Sequence, residues 1–140
     1  MDPDELAGAM DGIVHADTQV HERGVDLTVA AVHEITAPGR VDFGGGELEP
    51  AGTRPHEKIW RDVEDDYRWW HLRGGTYLLE YNESVALEQA HRLQPRRAML
   101  ERGAHHPSVS VRELGRIPLT VPDDGLRIKE NARVSTLLAE

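Results

Sequence analysis

Short stretches in which apolar and polar residues alternate, separated by glycine and proline, constrain the fold of this chain more than any other feature. A period of two is typical of a β-strand, because successive side chains point to opposite faces. Little of the sequence has a helical period, and glycine and proline break the regular stretches into short pieces. This pattern predicts an all-β fold, either a distorted β-barrel or a jelly-roll sandwich. The clearest alternations are Val25, Leu27 and Val29 in one stretch and Tyr77, Leu79 and Tyr81 in another.

We expect the first of these strands to run from Gly24 through Ile35. Later strands are expected around 109–111, 117–121, 126–128 and 133–138. The segment Trp60 to Trp70 mixes acids with aromatics without a period, so that a strand and a loop fit it equally well. Its tryptophans either line a site or fill an interface, and packing is the commoner role of clustered tryptophan.

Two short helices are predicted. Asp2-Pro3-Asp4-Glu5 has the residues of a helix start, with Asp2 as N-cap, and an N-terminal helix within residues 1–13 is expected to dock on the body. Residues 95–102 favour a short internal helix that ends at Gly103. We expect residues 1–140 to form a single domain.

The composition excludes several classes of protein. The chain has 140 residues, no cysteine and a formal net charge of −9, with only two lysines. Without cysteine there is no disulfide, thiolate metal site or cysteine nucleophile, and the acidic charge argues against binding of polymeric nucleic acid. The acidic N-terminus is unlike a signal peptide, and no apolar run is long enough to cross a membrane. We therefore expect a cytoplasmic protein without a membrane partner.

General catalytic motifs are missing from the sequence. Three His-Glu pairs lack the second histidine of a zinc-binding helix, and no glycine-rich phosphate loop or nucleophile elbow is present. His105-His106 is open to two interpretations, a metal site or a plain loop or interface role. Adjacent histidines in an extended chain point to opposite sides, which favours the second.

Four segments occur in an order and spacing that resemble the dUTPase and dCTP deaminase superfamily, and most closely its compact archaeal members. The resemblance covers most of the chain from about Val20 onward. The segments are Gly24–Thr28, Gly74–Val85, Pro95–Leu100 and Glu130–Val134.

This resemblance implies a distorted β-barrel of the dUTPase type that assembles as a homotrimer. It also implies nucleotide sites at the subunit boundaries, a deoxynucleoside triphosphate as ligand, and Mg²⁺ that arrives with the phosphates and water rather than on protein ligands. Arg96, Arg97 and Arg133 would supply the positive charge that holds the phosphates.

The resemblance also assigns roles to single residues. Asp26 matches an aspartate that organises the site, although a strand aspartate on the solvent-exposed face is an equal alternative. Pro95-Arg96 begins a phosphate motif in which Arg97 and Ala98 replace two serines.

Glu113 falls where the family has the acid that activates water, and its alternative is a solvent-facing glutamate. Arg116 replaces an aromatic residue that packs on the sugar, and Thr136 replaces a glutamine of the late motif.

Three functions remain open. The leading one is a dUTPase-like nucleotidohydrolase that converts dUTP to dUMP and pyrophosphate, with Asp26 and Glu113 as its catalytic residues. The second is a non-catalytic trimer that binds a nucleotide or a protein. The third, dCTP deamination, is disfavoured because Thr120 stands where a proton-shuttling glutamate would be needed.

Overall fold

The computed structural model describes residues 1–139, which form β-strands and three short helices. The all-β prediction is confirmed. The helices are α1 (Pro3–Gly8), α2 (Ala16–Gln19) and α3 (Arg97–Leu100). The strands are β1 (Met10–Asp11), β2 (Val20–His21), β3 (Gly24–Ala37), β4 (Gly52–Pro55), β5 (Trp69–Leu72), β6 (Gly75–Tyr81), β7 (Ser84–Pro95), β8 (Val109–Glu113), β9 (Ile117–Val121), β10 (Leu126–Lys129) and β11 (Arg133–Leu138).

The strand β3 organises the main sheet, whose order is β1-β7-β11-β3-β6-β9. Its first half pairs with β11, and after a register shift between Val29 and Ala31 its second half pairs with β6. The strands β2 and β4 also pair with β3, β8 pairs with β7, and β5 and β10 form a separate two-stranded sheet. The strand β3 is therefore paired along most of its length, and every residue from Gly24 to Val29 is buried, whereas residues 35–37 are exposed.

The start of β3 requires a glycine. A Cβ on Gly24 would overlap the carbonyl oxygen of Leu137 on β11, and the backbone of Gly24 has a positive φ of 158°. In this antiparallel register Leu137 lies opposite Val25 and Thr136 lies opposite Asp26.

The N-terminal helix is shorter than predicted. The capping box is present, because Asp2 Oδ1 accepts from the Glu5 backbone N–H at 2.8 Å and Glu5 Oε1 accepts from that of Asp2 at 3.2 Å. Leu6 is fully buried in the core. The helix ends at Gly8, however, and Met10 is buried through the edge strand β1, opposite Val85. The expected helix over 1–13 was wrong beyond Gly8, because Met10 gains its burial from strand pairing.

The sequence pattern did not predict the structure of two further segments, β7 and residues 60–70. The 12-residue strand β7 was not predicted, because its interior of Leu, Glu, Gln and Ala is typical of a helix, and the sheet overrides that local preference. In the ambiguous segment, Trp69 and Trp70 begin β5, whereas residues 60–68 form turns and loop. The expected strands around 109–111, 117–121, 126–128 and 133–138 are all present.

No helix within residues 1–139 combines the length and the apolar character that a membrane crossing requires. The single domain 1–140 stays a prediction, and residue 140 lies outside the described residues.

Candidate functional site

Asp26 lies in the interior of the main sheet, and 2% of its surface is exposed. The strand β3 carries it between β2 and β11, where Thr136 is its direct partner on β11. The alternative that placed Asp26 on a solvent-exposed face was wrong, because side chains from β2, β11 and the end of β7 cover its carboxylate.

Four side chains bind the two carboxylate oxygens of Asp26. Oδ1 accepts hydrogen bonds from Thr136 Oγ1 and His21 Nε2, both at 2.8 Å. Oδ2 lies 3.1 Å from Nη1 of Arg133 and 3.3 Å from Nε of Arg96. These donors compensate for the hydration that the carboxylate loses on burial. Asp26 thereby fixes the orientation of two guanidinium groups that are distant in sequence.

A second buried carboxylate holds the backbone behind Asp26. Glu83 accepts from the backbone N–H of Thr28 at 2.8 Å, from its hydroxyl at 2.6 Å and from Gln19 Nε2 at 2.8 Å. The same Gln19 amide donates to the carbonyl oxygen of Asp26 at 2.9 Å. This network ties α2, β3 and the turn between β6 and β7 together around the site.

The turn that delivers Arg133 depends on an unusual backbone conformation. Asn131 has a φ of 64°, in the left-handed region that asparagine tolerates better than most residues. The Asn82 side-chain amide donates to Asn131 Oδ1 at 2.9 Å and to Thr28 Oγ1 at 2.9 Å. The chain thus reverses after β10 and brings Arg133 back toward Asp26.

A pocket of about 370 Å³ opens beside this cluster. Four arginines line it, Arg23, Arg96, Arg97 and Arg133, whereas Asp26 is its single carboxylate. A concave site with this charge is suited to an anion with several oxygens, because each guanidinium offers up to five N–H donors in a planar fork. The structure therefore brings together Asp26, Arg96, Arg97 and Arg133, four of the six predicted site residues.

The other two predicted residues, Glu113 and Arg116, lie elsewhere on the same chain. Glu113 is exposed at the end of β8 and pairs with Ala86, nine positions before Pro95 on β7. At about 3.3 Å per strand residue, this places Glu113 about 30 Å from Pro95 as measured along β7. Arg116 contacts Thr53 Oγ1 at 3.3 Å and lies 3.4 Å from the carboxylate of Glu80.

His106, for which a metal role was one alternative, is part of a buried hydrogen-bond chain. Its Nδ1 donates to the carbonyl oxygen of Pro107 at 2.9 Å, and its Nε2 lies 2.7 Å from Ser135 Oγ, which also contacts Tyr81 Oη at 2.7 Å. Burial lowers the pKa of His106 and raises the pKa of Tyr81. Both ring nitrogens of His106 are occupied, so that its role in one chain is to support β11.

Sequence reasoning missed His21, Arg23, Gln19 and Glu83. The signal for the first two was the hairpin between β2 and β3, in which His21 pairs with Gly24 across a turn formed by Glu22 and Arg23. Nothing in the linear sequence indicated that Gln19 and Glu83, 64 positions apart, would share a hydrogen bond.

Proteins with similar sequences carry related names. A protein of Halobacterium salinarum named as a probable deoxyuridine 5'-triphosphate nucleotidohydrolase is 37% identical over 76 residues, which are 54% of this chain and 44% of that protein. One of the same name from Methanosarcina acetivorans is 29% identical over 136 residues, covering 92% of this chain and 76% of that protein. No protein-family model matches the chain.

The fold is similar to that of the 2'-deoxycytidine 5'-triphosphate deaminase from Agrobacterium tumefaciens, with a TM-score of 0.63 and 11% sequence identity. The alignment covers 98% of this chain and 46% of the deaminase. This chain therefore spans less than half the length of that protein, as it does of the Halobacterium protein.

A predominantly antiparallel β-fold of the dUTPase type with a buried aspartate beside an arginine-lined pocket defines the class of this protein. The predicted resemblance to the dUTPase and dCTP deaminase superfamily is confirmed, because the matched relatives are named as probable dUTPases and the fold is similar to that of a dCTP deaminase.

Proposed function

We propose that this protein is a nucleotidohydrolase that hydrolyses dUTP to dUMP and pyrophosphate. The observation that carries the proposal is the convergence of Arg96, Arg97 and Arg133 on the pocket beside buried Asp26. In a chain of net charge −9, such a concentration of cations is best explained by an anionic ligand that they must hold.

The arginines hold the triphosphate in a fixed geometry. Arg96 uses Nε for Asp26 and Nη1 for the carbonyl oxygen of Arg133, and Arg133 uses Nη1 for Asp26, which leaves other N–H donors of both groups for phosphate oxygens. Asp26 is already bound by four donors, so we assign it a positioning role rather than that of the base that takes a proton from water.

Water activation requires a second carboxylate, for which we propose Glu113 of a neighbouring copy. In one chain Glu113 is about 30 Å from Pro95 as measured along β7, so the site is complete only if copies assemble with one copy's β8 edge near another's pocket. A homotrimer with sites at the subunit boundaries provides this arrangement, in keeping with the superfamily resemblance.

We assign Mg²⁺ to the phosphates of the nucleotide and to water. Within residues 1–139, no group of three His, Cys, Asp or Glu side chains is placed to hold a metal ion. Bound in this way, Mg²⁺ would neutralise charge on the leaving pyrophosphate.

A second candidate is a trimer that binds a nucleotide without hydrolysing it. The observation that favours it is the replacement of two hydroxyl donors by Arg97 and Ala98 at the start of α3, because an arginine supplies charge without the compact geometry of a serine. Deamination has less support, since Thr120 on β9 is not a proton shuttle at neutral pH.

Incubation of the purified protein with Mg²⁺ and each deoxynucleoside triphosphate tests these functions. Pyrophosphate and monophosphate released from dUTP alone are the expected result, whereas ammonia from dCTP would identify a deaminase. A nucleotide that raises the melting temperature but is not turned over would indicate a protein that binds nucleotide without hydrolysing it.

The variant Glu113→Gln removes the proposed base and retains the shape of the side chain. We expect it to abolish dUTP hydrolysis and to leave the dissociation constant for dUTP within about twofold of the wild type. Glu88→Gln, on the exposed surface of β7, is the matched control. Unchanged turnover in Glu113→Gln would remove Glu113 from the mechanism.

A further inference from the structure

Two buried polar nitrogens on one face of the small β5–β10 sheet have no hydrogen-bond partner within residues 1–139. They are Trp69 Nε1 and His71 Nε2. Positions two apart on a strand share a face, and the residues directly opposite them on β10 are Lys129 and Arg127. The other face carries Trp70, Leu72 and Ile128, which are buried in the core. Buried polar atoms nearly always have a hydrogen-bond partner. The two nitrogens on this face therefore call for a partner from outside the chain.

Within the described part of the chain, three of the cations around this face have no carboxylate partner, whereas Arg61 is paired with Asp65 at 3.0 Å. Arg73, Arg102 and Arg127 take part in none of the ion pairs formed within residues 1–139. Lys129 Nζ lies 5.8 Å from the centroid of the Trp69 ring, and Arg61 stacks on the same ring at 4.1 Å. The face therefore combines positive charge with an aromatic surface in a protein that is acidic as a whole.

A cleft of about 960 Å³ lies at the end of this face. His71, Arg73, Arg102 and Arg127 line it, together with Asp123 and Asp124 of the turn before β10. That turn is held against β5 by Gly125, which has a φ of 88° and on which a Cβ would lie 2.6 Å from the carbonyl oxygen of Leu72. The cleft is large enough for a nucleotide-sized ligand and is separate from the pocket beside Asp26, with which it shares no lining residue.

We propose that this cleft is a second binding site, for a small phosphate-bearing anion. Arg73, Arg102 and Arg127 bind its phosphate oxygens, and the unpartnered His71 Nε2 donates or accepts a hydrogen bond at the inner wall. Charge complementarity selects the ligand class, because three unpaired guanidinium groups outnumber the two carboxylates of the cleft. The site is independent of the dUTP-hydrolysing site proposed above.

Isothermal titration of the full chain with inorganic tripolyphosphate, at low ionic strength, tests the second site by its stoichiometry. We expect two sites per chain in the wild type. Arg96→Ala should remove the site beside Asp26, and the double substitution of Arg73→Ala with Arg127→Ala should remove the cleft site, so that each variant keeps one. The two proposals can therefore fail separately.

Arg112→Ala, an exposed arginine on β8, is the matched control for loss of charge and should keep both sites. His71→Phe retains an aromatic ring without the nitrogen, and we expect it to weaken the cleft site by about tenfold. The proposal of a second site would be overturned if the wild type had a single site per chain and Arg96→Ala abolished it. Equal losses in Arg112→Ala and in the cleft variant would overturn it too, because the effect would then be one of overall charge.

Discussion

Asp26 shows how a single buried charge can organise four residues from three parts of a sequence. Its two oxygens are shared between hydroxyl and imidazole donors on one side and two guanidinium groups on the other. Removal of one donor leaves the carboxylate partly unsatisfied in a buried place, and the cost of that exceeds the value of an average hydrogen bond. The orientation of the arginines and the stability of the sheet are consequently linked through this residue.

Thr136→Val tests how much one hydrogen bond to Asp26 contributes to the stability of the sheet. Valine has nearly the shape of threonine but no hydroxyl, so that Asp26 Oδ1 loses the 2.8 Å hydrogen bond. We expect the free energy of unfolding to fall by about 1.5–3 kcal/mol in urea denaturation. The same change at the exposed Thr120 on β9 should cost less than about 0.5 kcal/mol. Equal effects at the two positions would show that the hydroxyl of Thr136 contributes nothing specific.

At the scale of elements, turns rather than strands place the site residues. The hairpin of β2 and β3 brings His21 back to Asp26, α3 begins directly after Arg96, and the turn at Asn131 returns the chain to β3. The backbone N–H of Asn131 donates to the carbonyl oxygen of Val29 at 3.2 Å, and the N–H of Val29 donates to that of Ala132 at 3.0 Å. These bonds fix the register in which Arg133 enters β11.

Substitutions at Asn131 separate backbone conformation from side-chain bonding. Asn131→Gly keeps the positive φ at no steric cost and loses only the bond from Asn82, whereas Asn131→Ala loses both. We expect alanine to be the less stable of the two by about 1 kcal/mol in urea denaturation and to bind nucleotide more weakly. If glycine were as destabilising as alanine, the left-handed conformation would not be what the turn requires.

At the scale of the whole molecule, the proposed hydrolase needs more than one chain, because Glu113 and the arginine pocket lie far apart on a single copy. The buried hydrogen-bond chain of Tyr81, Ser135 and His106 acts on a different property, the stability of the fold against acid. Assembly and acid stability can therefore be tested independently.

Mixing two inactive variants tests the shared site. A trimer with Arg96→Ala and Glu113→Gln subunits contains some boundaries that have both intact residues. If the two mix at random in equal amounts, about a quarter of the sites are complete, and we expect about a quarter of the wild-type hydrolysis after refolding together. Activity in the mixture would require a site that two subunits share. A mixture as inactive as either variant alone would contradict the shared site.

The pH dependence of stability should show the contribution of His106. Burial lowers the pKa of this imidazole, with the repulsion of His105 adding to the effect, although the hydrogen bond to Pro107 opposes it. The unfolded chain therefore takes up a proton at a higher pH than the folded chain does. Stability from this residue is complete above the unfolded pKa of about 6.5 and declines as the pH falls toward the lower folded value, by at most about 1.4 kcal/mol per pH unit.

Urea denaturation between pH 4 and pH 7 provides the measurement. His106→Gln should show a flatter dependence below pH 6.5 than the wild type. His105→Gln, at an exposed position, should stay much closer to the wild type, because repulsion from His105 is the smallest of the causes that shift the pKa of His106. Parallel curves for wild type and His106→Gln would exclude His106 as the source of the acid sensitivity.

The sequence by itself determined the strands with a clear period, the capping box at Asp2 and the short helix after Arg96, because each depends on contacts or preferences within a few residues. Its motifs also indicated the resemblance to the dUTPase and dCTP deaminase superfamily and the residues Asp26, Arg96, Arg97 and Arg133, which share one pocket.

Only the tertiary structure decided that β7 is a strand, that Asp26 is buried, and that Gln19 and Glu83 support it. It also decided that Glu113 lies away from the pocket of its own chain. These features depend on strand pairing over tens of residues, and pairing is selected by the burial of the whole sheet rather than by any local pattern.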